Sequence, residues 1–243
     1  MKYSRKTSIV IVALSILMLV GASANATHIA GGQITYRDLG NRTIEYTFIG
    51  YRDADGVLFG QGLFDFGDGD FYGDEDGEVF DWEFEDLGNG IERWEFKLTH
   101  TYSGLATYLA SYSEDFRTSN VQNVSGSVAT RFYVDALVIL DPLFENSSPK
   151  PLFPPAFLAF SGHKFAASFA MDDEDGDSLS FSLIVPKQAE GLDVNAYRLP
   201  SSPEFNNGLT DAEFSIDRLK GDLLWDAPST VGLYSFAVKV EEW

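Results

Sequence analysis

After Thr27 the apolar residues recur mostly with a period of two and not of 3.6, and this restricts the chain to β structure, in which successive side chains point to opposite faces. Arg93 to Leu98 is the clearest case, with Trp94, Phe96 and Leu98 on one face and charged residues on the other. Gln33–Arg37 and Thr43–Ile49 flank Leu39, Gly40 and Asn41, a hairpin turn. Further strands are expected at Thr107–Tyr112, Thr130–Leu140, Phe165–Met171, Leu179–Val185 and Leu233–Val240. No window sustains a long amphipathic helix.

Proline divides this pattern. Five of the nine prolines are Pro142, Pro149, Pro151, Pro154 and Pro155, a density that sheet interiors reject because each proline removes a ladder donor. The expected organisation is therefore two all-β units, residues 27–140 and 158–243, joined by a proline-rich connection at 141–157. Their sizes suit β-sandwiches. The final strand runs to Trp243 with no closing turn, so a longer parent protein is expected.

Residues 1–26 stand apart. Lys2, Arg5 and Lys6 precede an apolar run from Ile9 to Val20 and an Ala24-Asn25-Ala26 cleavage site, the layout of a secretory signal peptide that leaves Thr27 as the mature N-terminus. The run is shorter than the roughly 20 residues a spanning helix needs. The reading is a secreted or cell-surface protein with no membrane insertion after cleavage. Of the 17 basic residues three lie in this leader, which leaves 14 against 37 acidic ones. So negative a chain disfavours nucleic acid and anionic lipid as partners. Cysteine is absent, so neither a disulfide framework nor a lipidated cysteine holds or tethers the protein.

The acids are concentrated in two runs. In the first, Phe64 to Glu78, Gly67 and Gly69 allow the positive φ of a tight turn while Asp65 and Asp68 accept from turn amides. Asp70, Asp74, Glu75, Asp76 and Glu78 then crowd a short loop with no Lys or Arg among them. Either a hard cation such as Ca²⁺ relieves their repulsion through oxygen ligands, or water does. His100, with no second His or Cys at metal spacing, is read as a turn-bonding core residue. The run Phe64–Gly69, followed by Thr99-His100-Thr101-Tyr102, resembles the polycystic-kidney-disease (PKD) domain over residues 33–115, with an extra acidic insertion at Gly73–Asp86.

Immediately after, Asp81, Glu83 and Glu85 alternate with Phe80, Trp82 and Phe84. Paired carboxylates on one strand suit a retaining glycosidase. The simpler expectation sends the three aromatics into the core and the three acids to water.

The second run, Met171–Leu183, places Asp173, Asp175 and Asp177 beside Gly176 and leads straight into a strand. With Phe214–Asp217, Gly221–Pro228 and Gly232–Val240 it resembles cadherin-like and related bacterial immunoglobulin-like domains over residues 158–241. The resemblance implies an Ig-like sandwich in which Ca²⁺ at Asp173, Asp175 and Asp177 rigidifies an inter-domain end. The expected fold is thus all-β, two tandem Ig-like β-sandwiches, PKD-like then cadherin-like. Taken in order, the whole is similar to the N-terminal region of large secreted surface proteins of Bacteroidetes, including gliding-motility-associated ones.

Three functions follow as expectations. A non-catalytic surface module for adhesion or scaffolding, with a protein or glycan partner at the cell surface, fits the leader and both resemblances. A carbohydrate-binding module accessory to polysaccharide degradation needs exposed aromatics, whereas Trp82, Trp94 and Trp225 lie in strand patterns. A carboxylate-dependent glycosidase rests only on Asp81, Glu83 and Glu85. No G-x-S-x-G, H-E-x-x-H or cysteine nucleophile is present.

Overall fold

The computed structural model describes residues 29–56, 58–60, 62–73, 79–115, 117–143, 145–155, 158–206, 212–226 and 229–243. The leader expected at 1–26 lies outside them. The described chain is all-β: its strands pair antiparallel, and helix is confined to two three-residue 3₁₀ turns, Ser127–Ala129 and Pro203–Phe205.

Eight strands precede the proline-rich stretch: β1 (Ile29–Asp38), β2 (Thr43–Asp53), β3 (Leu63–Asp65), β4 (Phe71–Gly73), β5 (Glu83–Asp86), β6 (Ile91–Thr101), β7 (Thr107–Glu114) and β8 (Phe132–Ile139). They form two four-stranded sheets, β1-β2-β6-β5 and β4-β3-β7-β8. Period-two burial makes the sheets a pair. Ile44, Tyr46 and Phe48 of β2 and Phe96 of β6 meet Phe64 of β3, Ala110 and Tyr112 of β7 and Val138 of β8 in one buried cluster. Across the gap, the Phe48 and Tyr112 rings lie 4.0 Å apart and Tyr46 and Phe64 5.1 Å apart. Each such aromatic contributes about 1.5–3 kcal/mol by leaving water, so the cluster carries the fold without a disulfide.

One expectation shifts here. Phe80 is buried and Trp82, half-buried, packs against the core cluster, but Phe84 is 64% exposed. The physical reason is position: β5 is the edge strand of its sheet, and Phe84 stacks on Trp94, its cross-strand partner, at 5.2 Å. Asp81, Glu83 and Glu85 are exposed, as alternation implied.

Nine strands follow: β9 (Lys150–Pro151), β10 (Phe165–Ser168), β11 (Met171–Asp172), β12 (Leu179–Ile184), β13 (Lys187–Ala189), β14 (Leu192–Asp193), β15 (Phe214–Ile216), β16 (Asp222–Trp225) and β17 (Ala237–Glu242). They pair as β10-β16-β15, β11-β9, β12-β17 and β13-β14, and Phe181, Val194, Phe205, Leu223 and Trp225 are buried among these residues of the chain. The strand expected at Phe165–Met171 is broken in two, because Phe169 turns its amide to the Gly221 carbonyl at 2.8 Å. The last strand begins at Ala237 and not at Leu233. Residues 233–235 are engaged elsewhere: Gln122 N–H donates to Leu233 (2.8 Å), and the buried Asn123 amide bonds both backbone groups of Ser235 (2.7 and 2.8 Å).

The proline-rich stretch is tied down where it is described. Ser148 exchanges backbone and hydroxyl bonds with Tyr36 of β1 (2.9 and 2.7 Å), while Lys150 and Pro151 form the short ladder with β11. One segment thus binds strands on both sides of it.

Candidate functional site

The first acidic run folds as a tight turn between β3 and β4. Asp65 accepts from Gly67 N–H at 2.8 Å, Asp68 from Asp70 N–H at 3.2 Å, and Phe66 N–H donates to the Asp70 carbonyl at 3.1 Å. Gly67 is required: its φ is +81°, and a Cβ there would sit 2.7 Å from the Leu109 carbonyl oxygen. Asp65 and Asp68 therefore serve the turn.

His100 arrives from β6 in the opposing sheet. Its Nε2 lies 2.8 Å from Asp68 Oδ2, and its ring stacks on Phe66 at 4.1 Å and meets the Tyr102 ring edge-on at 4.6 Å. Tyr102 donates to the Phe66 carbonyl at 2.8 Å and accepts from Tyr46. Burial works against the Asp68 charge, yet the His100 and backbone hydrogen bonds outweigh it and hold the carboxyl below its usual range. Asp70 joins the pair: one ligand atom each of Asp68, Asp70 and His100 lie within 4.8 Å of one another. Sequence reasoning selected Asp70 and took Asp68 and His100 as turn partners, which their bonds support. Asp74, Asp76 and Glu78 lie outside the described residues.

The second acidic run closes on itself differently. A single oxygen, Asp173 Oδ1, accepts the amides of Asp175, Gly176 and Asp177 at 3.0, 2.7 and 3.0 Å. Its other oxygen, Oδ2, is buried and has no N–H or hydroxyl donor; the Asp173 carboxylate lies within hydrogen-bonding reach of a protonated Glu242. Asp175 points away to the connection, accepting Ser147 N–H at 2.7 Å. Glu174 pairs with Lys150 at 2.7 Å.

Glu242, the last residue of β17, completes this group. Its Oε2 accepts from Asn146 at 3.0 Å, and its Oε1 is buried and has no N–H or hydroxyl donor. Burial, and then the Asp173 and Asp177 carboxylates, push its carboxyl up to about 7 in spite of the Asn146 bond. Asn146 also reaches the Tyr36 hydroxyl at 3.4 Å. The acidic turn, the connection, β1 and β17 therefore meet at one point. Glu242 was not singled out in the sequence, although a signal exists. Val238, Val240 and Glu242 share one phase of the alternation, so Glu242 puts a carboxylate where the valines point inward.

Elsewhere, Asp81 to Glu85 form no closed constellation: all three acids are exposed, Glu83 faces Glu95 across the ladder and Glu85 faces Arg93. Neither a family model, a curated protein nor a solved structure matches the chain.

Proposed function

We propose that the chain is a non-catalytic extracellular surface module for adhesion or scaffolding, built as two tandem Ig-like sandwiches of the PKD-like and cadherin-like kinds and belonging to a larger secreted surface protein. One observation carries the reading. The acidic turn of the second unit is placed where it joins the first, with Asp175 on Ser147, Glu242 on Asn146, and Asn146 and Ser148 on Tyr36. A module that transmits force or spacing needs a stiff junction, and these bonds supply one.

Ca²⁺ suits that point. Asp173 Oδ2 and Glu242 Oε1 have no donor when both carboxyls are ionised; a proton on Glu242 otherwise bonds it to Asp173, and the Asp177 charge adds to the crowding. A hard cation would take these oxygens, with Asp175 remaining on the connection, and would offset the like-charge crowding. The test is thermal unfolding of the mature chain in EDTA and in about 2 mM Ca²⁺, with Mg²⁺ as control. A site of Kd about 10⁻⁵ M adds about 3 kcal/mol and several degrees of Tm. A Ca²⁺-specific rise abolished by Asp173→Asn supports the reading; no rise removes the metal from it.

A second reading, a glycan-binding module, draws on one feature. Phe84, 64% exposed and stacked on Trp94, presents an aromatic ring at the acidic edge strand, a surface on which a sugar ring stacks. Retardation of the chain in gels cast with polysaccharide, lost in Phe84→Ala, would favour it.

A further inference from the structure

A cavity of about 310 Å³ lies where the start of β1 and residues 117–134 meet the proline-rich connection and residues 233–240. Its charge is opposite to that of the chain around it. The sequence holds 37 acidic residues against 17 basic ones, yet the described walls of the cavity carry Arg117 and Lys187 and no carboxylate. The rest of the wall is mainly apolar, with Phe132, Val134, Phe153 and Met171 on it.

Of the two cations only Arg117 lacks a counter-ion. Lys187 reaches Asp135 at 2.5 Å. Arg117 is 8% exposed, and its partners are neutral: Nε donates to the Arg131 carbonyl at 3.0 Å, one Nη donates to the Lys187 carbonyl at 2.5 Å, and the guanidinium lies over the Phe132 ring at 5.6 Å. Burial lowers its pKa to about 10, and no carboxylate among the described residues acts against that. A buried charge is normally paired, because leaving it alone in an apolar surrounding is costly. Gln33 also lines the cavity, and its Nε2 is buried with no acceptor. The walls therefore hold a positive charge without a counter-ion and an amide without an acceptor.

An occupant that meets these groups carries a carboxylate, the planar anion that guanidinium pairs with best, on an otherwise apolar body. Volume limits its size. At about 30 Å³ for each water-sized group, the space suits about ten non-hydrogen atoms, at the lower end for small-ligand sites.

We propose that this cavity binds a small apolar monocarboxylate, an alkanoate of about eight carbons, with its carboxylate on Arg117 and its hydrocarbon chain against the apolar wall. Such a site goes beyond the scaffold role and is independent of the metal. The probe is octanoate, added to about 3 mM to the full mature chain in EDTA and followed by broadening of the ligand's NMR lines. Two comparators share its chain: 1-octanol, which has no charge, and octylammonium, which has the opposite one.

Octanoate should bind with Kd about 0.1 mM, and both comparators about tenfold more weakly or worse. Arg117→Gln removes the charge and keeps an amide donor; it should weaken octanoate about tenfold while leaving 1-octanol as in the wild type, a pattern that general loosening of the fold does not give. Gly31 supplies the second variant. It lines the cavity, and a Cβ built on it meets no atom within 4 Å, so Gly31→Leu enters open space and should weaken octanoate and 1-octanol alike.

No octanoate binding by about 3 mM overturns the proposal, as does octanoate no tighter than 1-octanol. Wild-type octanoate affinity in Arg117→Gln overturns it too, and so does binding that Gly31→Leu leaves unchanged, since the ligand then sits elsewhere. Where Arg117→Gln loses its near-UV circular dichroism and so its fold, the ratio of octanoate to 1-octanol affinity and the Gly31→Leu result decide.

Discussion

Replacing Glu242 by Gln tests the carboxylate contact between the last strand and the acidic turn. In the native chain the Glu242 carboxyl is raised from 4.5 to about 7, first by burial and then by Asp173 and Asp177. A folded state that holds this proton while the unfolded chain has released it is most stable below about pH 4.5. It loses that stability as pH rises toward and through 7. The full rise corresponds to about 3.4 kcal/mol. Glu242 is only half-buried, and screening by water reduces this to about 1–2 kcal/mol. Gln keeps an acceptor for Asn146 and carries no charge. Thermal melts in EDTA should therefore show Glu242→Gln close to the wild type at pH 5 and about 3–6 °C more stable at pH 8. Adding Ca²⁺ at pH 8 should lift the wild type and leave the variant nearly unmoved. A difference between variant and wild type that is the same at pH 5 and pH 8 would refute the argument, because other titrating groups cancel in that comparison.

Gly67→Ala forces a side chain into φ +81° and within 2.7 Å of the Leu109 oxygen; a loss of about 2–4 kcal/mol in urea unfolding is expected. Asn123→Ala leaves the backbone groups of Ser235 and the Arg198 carbonyl without their partner in a fully buried site, so a loss of about 2–4 kcal/mol and faster proteolysis within 229–243 should follow. Phe84→Ala removes an exposed ring and should change stability by less than about 1 kcal/mol, whatever it does to glycan retention.

Much of the first unit is legible in the sequence. Trp94, Phe96 and Leu98 share the face that alternation gave them, Leu39–Asn41 lie at the β1–β2 turn, and Asp65 and Asp68 hold the turn that Gly67 permits. These features are local: side-chain direction follows from a period of two, and a positive φ follows from glycine. Phe84 was misplaced because alternation fixes which residues share a face but not whether another layer covers that face. The Leu233–Val240 run was taken too long for a related reason, since Asn123, over a hundred residues away in sequence, claims the backbone of Ser235.

The sequence by itself therefore determined the class of structure, the positions of its turns and where negative charge gathers, because each depends on neighbours a few residues apart. Only the tertiary structure decided which acids meet. Glu242 lies 69 positions beyond Asp173 and comes to it through the pairing of β17 with β12, while Asp175, two residues from Asp173, is drawn away to Ser147. Such contacts are set by how strands associate across the fold, and a linear pattern of residue types carries no information about that association.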